Sequence, residues 1–283
     1  MKTILITGIN GFLGSHLARE LSSEYKIIGL EYTIENLFRI AECNYKVYAA
    51  QEDIPEAIFT DQRIDLIIHT ATFYGKNNED IIRMFNAILY SPFNLLDKAI
   101  KHGCRIFINT DTVLDRFVST YALTKRQFQE WLFHRKNEIK VINMQLEHFY
   151  GPGASDSNFI TAMMHKLKKH ESPINLTPGD QQRDFLFIDD VVSAFLTVIN
   201  NQSLIPEEYS SFQVCSNQRI SIRDLMILMK ELTGSNSKLN FGAVPYRENE
   251  LMQSTTNNVA LRLLGWKPAC NIIEGLKRTS TNM

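Results

Sequence analysis

Paired cysteines are missing from this sequence. Its four cysteines (Cys43, Cys104, Cys215 and Cys270) stand far apart in 283 residues, without C-x-x-C spacing. Structural zinc and a disulfide framework are therefore not expected, no metal site is expected, and a reducing cytoplasm fits best. No apolar run reaches the roughly 18 residues of a membrane span, so no membrane partner is expected. No basic stripe is present either. Lys plus Arg number 30 against 31 Asp plus Glu, a net charge of −1, which argues against nucleic acid as the main partner. A strand-like run begins by residue 3, leaving no room for a signal peptide. Internal repeats, low-complexity segments and long linkers are absent. What remains is 44% hydrophobic and 22% charged, an ordinary globular mix of sufficient length for one large or two modest domains.

At the very start, Thr3-Ile4-Leu5-Ile6-Thr7 runs into Gly8, Gly11 and Gly14, spaced G-x-x-G-x-x-G, and residues 15–21 are amphipathic. That order predicts a buried parallel strand, a tight turn and a helix start. Glycines let the backbone turn sharply and approach a pyrophosphate, whose charge is favoured by the N–H groups and dipole of the helix start. Asn10, Phe12 and Leu13 belong to the same loop. An ordinary glycine-rich strand–helix turn is the alternative. A second strand over residues 25–31 ends in Glu31, 17 residues after Gly14, where an acid meets the adenosine ribose hydroxyls of NAD. The plain alternative is a surface glutamate. No arginine follows at once to hold a 2′-phosphate, although Arg39 can swing in.

Residues 45–49 read as a short strand, followed by Glu52-Asp53-Ile54, where Asp53 and Ile54 border an adenine or simply form a loop. Residues 65–72 form a stronger strand ending in Thr70, Ala71 and Thr72, small as a backbone must be beneath a cofactor. Residues 81–102 have helical periodicity. Their Asn86 is either a satisfied core amide or a helix-bending active-site residue. A strand over 105–112, a helix over 121–135 and a strand over 140–146 follow. This order predicts an α/β fold with a doubly wound parallel sheet of Rossmann type. Beyond Gly151-Pro152-Gly153 the character changes. A basic amphipathic helix over 159–170 presents a solvated face. A strand from Arg183 leads to Asp189 or Asp190, capping a helix over 191–200. A strand over 211–215, a helix over 222–233 capped by Ser221, and a last helix over 259–264 stopped by Gly265 and Pro268 complete the chain. The expected division is a dinucleotide-binding domain over 1–151, to which the chain returns at about 184–217, and a smaller substrate-binding lobe over 152–183 and 218–283.

Tyr121-Ala122-Leu123-Thr124-Lys125 places a phenol and an ammonium on one helical face at i, i+4. A lysine beside a tyrosine is expected to lower the phenol pKa, because the phenolate gains an opposite charge. Such a tyrosine passes a proton to or from a carbonyl or alcohol oxygen. Thr110, or Thr112 two residues on, supplies a hydroxyl for the same oxygen. Hydride chemistry uses this arrangement, with the cofactor moving the hydride and the protein moving the proton. A surface helix carrying Tyr and Lys by chance is the bland rival, weakened by the glycine turn upstream.

With these residues in hand, the chain resembles the extended short-chain dehydrogenases/reductases that act on nucleotide sugars. The resemblance covers nearly the whole sequence. It rests on Thr7-Gly8-Ile9-Asn10-Gly11-Phe12-Leu13-Gly14, His69-Thr70-Ala71-Thr72, Asn109-Thr110-Asp111, Tyr121 with Lys125, Phe149-Tyr150-Gly151-Pro152-Gly153 and Arg183-Asp184-Phe185-Leu186-Phe187-Ile188-Asp189-Asp190. Leu146-Glu147-His148-Phe149-Tyr150-Gly151, Asn249-Glu250-Leu251-Met252 and Gly265-Trp266-Lys267-Pro268 look like the versions found in CDP-abequose and CDP-paratose synthases, 4-ketoreductases of 3,6-dideoxyhexose synthesis. The resemblance implies Tyr121 as the acid at the sugar C4 oxygen, and Lys125 as the residue that holds the nicotinamide ribose and tunes Tyr121. It implies His148 and Phe149 beside the nicotinamide, and Asn158, Arg183 and Arg247 on the diphosphate. For Arg247 an ordinary surface role is the rival. Glu250 contacts the nucleotide ribose or makes a salt bridge. Tyr74, within residues 73–76, and the loop over 112–119 shape the sugar pocket. The implied partner is a nucleotide sugar, and the resemblance implies a homodimer through the helices over 81–102 and 121–135, which nothing in their pattern alone demands.

Three departures matter. Only 10 residues separate Thr110 from Tyr121, so the active-site loop is short and the choice between Thr110 and Thr112 stays open. The family's 4,6-dehydratases carry Thr-Asp-Glu where this chain has Thr110-Asp111-Thr112, which disfavours water elimination. Glu31 would repel a 2′-phosphate and favours NAD, whereas the reductases resembled use NADPH. The expected function is NAD(P)H-dependent reduction of the C4 keto group of a CDP- or dTDP-activated 4-keto-6-deoxy or 3,6-dideoxy hexose, in O-antigen sugar supply. The alternatives are a 4-epimerase with tightly bound NAD and a non-catalytic NAD(P)-binding sensor.

Overall fold

The computed structural model describes residues 1–51, 53–75, 81–205, 207–281 and 283. Glu52 and residue 76 of the stretch 73–76, both included in the readings above, lie outside the described residues. The chain divides into two compact units, Met1–Gln145 with Asn200–Phe212, and Leu146–Ile199 with Gln213–Met283. The first runs β1 (Thr3–Thr7), α1 (Phe12–Leu21), β2 (Lys26–Glu31), β3 (Lys46–Ala49), α2 (Ala57–Thr60), β4 (Leu66–His69), α3 (Ile81–Phe85), α4 (Ser91–Lys101), β5 (Ile106–Thr112), α5 (Thr120–His134) and β6 (Lys140–Leu146). The second runs β7 (His148–Tyr150), α6 (Phe159–Lys168), β8 (Ile174–Leu176), β9 (Gln182–Phe187) and α7 (Ile188–Asn200). After β10 (Tyr209–Val214), most of which belongs to the first unit, come β11 (Arg219–Ser221), α8 (Ile222–Thr233), β12 (Leu239–Phe241), α9 (Val259–Leu263) and α10 (Ile272–Thr281).

The first unit is built on a seven-stranded sheet in the order β10-β6-β5-β4-β1-β2-β3. This is the doubly wound Rossmann arrangement read from the sequence. Strands β3 to β5 pair in parallel, with Thr7 opposite both Leu30 and His69, and His69 opposite Asn109. That register brings Gly8, Thr70 to Thr72 and Thr110 to Thr112 together at the carboxyl ends of β1, β4 and β5. Ile4, Leu5 and Ile6 are all fully buried, as strands covered on both faces require. Phe107 of β5 and Phe128 of α5 are 0% exposed, with ring centroids 6.2 Å apart. Each buried ring contributes about 1.5–3 kcal/mol. This contact fixes α5, and with it Tyr121 and Lys125, against β5.

Some local expectations give way. The helix over 81–102 is not uniform: residues Asn86–Tyr90 form a π-helical segment between α3 and α4. Asn86 opens that segment and is exposed, so it is not a core amide. Neither Asp189 nor Asp190 caps α7, because the helix already begins at Ile188 and both acids sit in its first turn. Asp190 instead accepts hydrogen bonds from the Ala269 and Cys270 N–H groups at 2.8 and 3.1 Å, and Asp189 pairs with Arg278 at 2.6 Å. These bonds tie down a further helix, α10, which the sequence reading passed over. In the second unit Ser221 does cap α8, accepting from the Asp224 N–H at 3.0 Å. The unit also holds a three-stranded sheet, β11-β9-β7, and a parallel pair, β12-β8.

Candidate active site

The glycine loop is a turn in which side chains do not fit. Gly8 has φ +66°, and a Cβ there would lie 2.9 Å from the Ala71 backbone. A Cβ on Gly14 would lie 2.1 Å from the Gly8 carbonyl oxygen, and one on Gly11 2.9 Å from the same atom. The Gly11 N–H donates to that oxygen at 2.8 Å. Helix α1 starts from this turn with no acidic residue in its first turn and no side-chain cap. Leu13 is buried, and the Phe12 ring meets His16 edge-on. Across the loop, the Thr70 hydroxyl donates to the Thr7 carbonyl at 2.7 Å, and the Ala71 N–H to the Thr7 hydroxyl at 3.2 Å.

Glu31 ends β2 beside this loop. Its carboxylate accepts from the Asn10 N–H. Burial pushes its pKa up, while the backbone N–H groups of Asn10 and Tyr32 pull it down by less. Arg39 folds onto the same loop: its N–H donates to Asn10 Oδ1 at 2.9 Å and its guanidinium to the Asn10 carbonyl at 3.3 Å. Arg19 of α1 donates to the Arg39 carbonyl. Burial, then the charge of Arg19, pulls the Arg39 pKa down. Two guanidinium groups thus gather where Glu31 meets the glycine loop.

At the end of β5, Lys125 is 2% exposed, and its Nζ donates to the Thr110 carbonyl at 2.9 Å. Burial pulls Lys125 down to about 8, against the opposing charge of Asp111. Tyr121 does not follow the expected direction. Its phenol is raised well above the usual tyrosine value, first by burial, then by Tyr74 and, after the opposing effect of Thr72, by Asp111. Lys125 Nζ lies 5.9 Å from the Tyr121 ring centroid and is engaged by the Thr110 carbonyl, so the ammonium does not offset burial. Tyr74 stacks obliquely on Tyr121, with centroids 5.0 Å apart, and is itself 59% exposed. Thr72 neighbours the Tyr121 hydroxyl, yet its own buried hydroxyl completes no well-formed hydrogen bond among the described residues. The Thr110 hydroxyl, 6% exposed, donates to the His69 carbonyl at 2.9 Å. Thr112 is less buried, and its oxygen accepts from the Leu114 N–H at 3.2 Å.

Ile54 and Asp53, two further first-unit candidates, are engaged elsewhere in the fold. Ile54 is 3% exposed and belongs to the core. Asp53 accepts from Asn94 and Lys98 of α4, at 2.5 and 3.4 Å.

In the second unit, Arg183 pairs with Glu250 at 2.5 Å, the side chains being 11% and 16% exposed. The salt-bridge alternative for Glu250 is therefore what this geometry holds. Arg247 is exposed and near enough for its charge to act on Arg183. Asn158 caps α6, accepting from the Ile160 N–H at 3.1 Å and donating to the Phe149 carbonyl at 2.7 Å. His148 meets Glu147 through Nδ1 at 3.2 Å.

Glu147 was not singled out from the sequence, although an acid directly after the apolar strand end Met144-Gln145-Leu146 is a usable signal. Its side chain is 1% exposed, and it accepts from Ser254 and, at 2.9 Å, from Thr256. Burial pushes its carboxyl up, but His148, Ser254 and Thr256 outweigh burial and leave it below the ordinary value. A carboxylate lowered on folding stabilises fully above its unfolded pKa, roughly 4.3, and that contribution is lost as pH falls through the lower folded value. Glu147→Gln is therefore expected to lower the melting temperature at neutral pH and to flatten its fall below about pH 5. Parallel melting curves across pH for the two proteins would contradict this.

Comparison with known proteins adds the following. Residues 4–211 match the model of the NAD dependent epimerase/dehydratase family. CDP-abequose synthase of Salmonella typhimurium strain LT2 is 33% identical over 287 residues, covering 97% of this chain and 96% of that protein. The structure of a UDP-glucose 4-epimerase with UDP-glucose from Thermotoga maritima superposes with a TM-score of 0.87 at 23% identity, covering 99% of this chain and 98% of that one. A UDP-glucuronic acid 4-epimerase from Bacillus cereus, in complex with UDP-glucuronic acid and NAD, gives 0.88 at 20% identity, covering 100% and 98%.

Proposed function

The chain belongs to the NAD dependent epimerase/dehydratase family, the extended short-chain dehydrogenases/reductases, and from that premise we propose that it reduces the C4 keto group of a nucleotide-activated 4-keto-6-deoxy or 3,6-dideoxy hexose with NADPH or NADH. The observation that carries the reading is the Tyr121–Lys125 pair at the end of β5, with the phenol held protonated. A reductase needs an acid at the carbonyl oxygen as hydride arrives, and a tyrosine whose pKa is raised keeps its proton at neutral pH.

The residues fit a dinucleotide. Side chains are excluded at Gly8, Gly11 and Gly14, which is the close backbone approach a pyrophosphate requires. The buried, incompletely bonded hydroxyl of Thr72 is a polar group awaiting a partner. When bound, the cofactor supplies the hydride at its nicotinamide. Gly8, Asn10, Gly11, Phe12, Leu13 and Gly14 hold its pyrophosphate end, Thr70, Ala71 and Thr72 lie along it, and Lys125 takes the nicotinamide ribose. Asp53, Ile54 and Asn86 are assigned to the same ligand from their places in the chain, and His148 and Phe149 from the resemblance. Tyr121 delivers its phenolic proton to the sugar C4 oxygen. Thr112 orients that oxygen, because the Thr110 hydroxyl is committed to the His69 carbonyl while Thr112 still has its O–H to give. Tyr74 borders the sugar.

Arg183, Arg247 and Asn158 are assigned to the diphosphate, and Glu250, whose Oε1 pairs with Arg183, to the nucleotide ribose through its other carboxylate oxygen. The Arg183–Glu250 pair supports this by holding the guanidinium fork in a fixed orientation. CDP and dTDP sugars are the preferred substrates in this reading. That the relative from Salmonella is a CDP-abequose synthase supports a role in surface polysaccharide supply. The apolar residues Ile81, Ile82, Phe85 and Trp131, exposed by 58, 69, 44 and 44%, support a homodimer.

For the cofactor, Arg39 and Arg19 favour NADPH. They gather positive charge at the adenosine ribose position, while Glu31 is engaged by the Asn10 N–H. Arg39→Ala is expected to lower kcat/KM for NADPH about tenfold or more while sparing NADH, since one charged hydrogen bond is worth about 1.5–3 kcal/mol. Equal loss with both cofactors would assign Arg39 to the loop's structure instead. The activity itself is tested by following 340 nm absorbance with NADPH or NADH and a 4-keto-6-deoxy sugar nucleotide. Stoichiometric oxidation is expected. Inversion at C4 of a nucleotide hexose without net oxidation would make the protein a 4-epimerase.

A further inference from the structure

Behind the Tyr121–Lys125 pair lies a buried polar cluster that the reaction as described does not use. Asp111 of β5 is 6% exposed, and Asn109 and Asn143 are fully buried. Asp111 Oδ1 accepts from the Thr112 N–H at 2.8 Å, and Oδ2 accepts from Asn143 Nδ2 at 2.9 Å. Asn143 is held in turn: its Oδ1 accepts from Asn109 Nδ2 at 2.7 Å, and its Nδ2 reaches Ser211 Oγ at 3.4 Å. Every contact of the carboxylate is thus pinned from β5, β6 and β10. No cation lies within 4.0 Å of it among the described residues, as no ion pair of Asp111 is found there. Burying a carboxylate under those conditions is costly, and a neutral side chain would avoid the cost. The charge therefore has a use.

Lys125 supplies one. Its ammonium sits on the Thr110 carbonyl, the peptide group that joins Thr110 to Asp111. We propose that Asp111 is a positioning residue for Lys125: its pinned carboxylate is the counter-charge that keeps Lys125 an ammonium on the Thr110 carbonyl. The other groups facing Lys125 do not do this. From β4, His69 stays neutral, held at about 3 by burial and by Lys125 itself. On α5, Tyr121 is a protonated phenol and Arg126 adds positive charge near Asp111. The π segment packed on α5 holds no charged side chain, and α3 contributes Arg83, which lies over the Phe73 ring at 4.5 Å. Asp97 of α4 is engaged by Arg135 at the far end of α5. From β10, Tyr209 bonds Gln129 at 2.9 Å. Asp111 is left as the carboxylate that acts on Lys125: burial pushes its own pKa up, Asn143 and then Lys125 favour its charged form, and for Lys125 it is the influence that opposes burial.

The proposal rests on the ketoreductase reading only in giving Lys125 a part in the reaction, so its test does not use turnover alone. Protein labelled with 13C at lysine Cε is titrated by NMR, with Lys125 assigned through Lys125→Arg. The wild-type midpoint is expected near 8. In Asp111→Asn it is expected to fall by about one unit or more, a tenfold loss of proton affinity. Should that variant not fold, Asn143→Ala is read instead, because loss of its amide lets Asp111 take a proton and moves Lys125 the same way. An unmoved midpoint in a folded variant overturns the proposal. In the reductase assay, Asp111→Asn is expected to lose activity at about pH 8 and recover it toward pH 6, whereas a merely structural residue lowers the rate equally at every pH. A moved midpoint in a protein without reductase activity sinks the functional reading and leaves the Asp111–Lys125 pairing intact.

Discussion

Tyr121→Phe is expected to lower the rate of C4 reduction by about 10²–10⁴-fold, the usual worth of a positioned proton donor. The substitution removes one oxygen from a ring that is already partly buried and packed on Tyr74 with centroids 5.0 Å apart, so the fold has little reason to respond. Binding of NADPH, measured by fluorescence, is expected to persist, because the glycine loop and Lys125 are untouched. In the wild type the alkaline fall in rate is expected to follow Lys125, near 8, because the phenol keeps its proton well past neutrality. Full turnover by Tyr121→Phe would remove Tyr121 from the chemistry and point to Tyr74, the other phenol in contact with it, as the acid.

Gly14→Ala is expected to abolish cofactor binding with a single methyl group. The new Cβ would lie 2.1 Å from the Gly8 carbonyl and 2.9 Å from the Thr70 hydroxyl, and a backbone oxygen has no flexible end to move aside. The turn must open, at a cost of about 1–3 kcal/mol in stability for overpacking. The N–H groups that face a pyrophosphate move with it. With NADPH at a hundredfold excess over its dissociation constant, the wild-type protein gains about 2.7 kcal/mol, a shift of several degrees in melting temperature. Gly14→Ala is expected to melt lower without ligand and to gain nothing from NADPH. A variant that keeps the ligand-induced shift would show that this turn does not carry the cofactor.

The elements that position the site were legible because their signals are local. The run Thr3 to Thr7 alternates nowhere and is buried on both faces, so it reads as a central parallel strand, and Gly8, Gly11 and Gly14 report sterics that the backbone enforces on the spot. Tyr121 and Lys125 share a face because a helix repeats every four residues or so. Three features were not legible, each for a different reason. The phenol pKa was misjudged because i, i+4 spacing says two side chains are neighbours without saying what else competes for them; the Thr110 carbonyl takes the ammonium. The cap of α7 was misplaced because Asp190 is used by backbone groups 79 and 80 positions away, which no local pattern encodes. The Asp111–Asn143–Ser211 cluster joins three strands, and only the sheet order β10-β6-β5 brings those residues together.

The most direct test of the account is a single-turnover reaction with NADPH carrying deuterium at both C4 positions of the nicotinamide and a CDP- or dTDP-4-keto-6-deoxyhexose. The account predicts one oxidised cofactor per sugar reduced, with deuterium on sugar C4 in the wild type and no product on the same timescale from Tyr121→Phe. No deuterium on sugar C4 and no oxidised cofactor from the 4-keto sugar, together with inversion at C4 of a nucleotide hexose supplied in a parallel reaction, would contradict it.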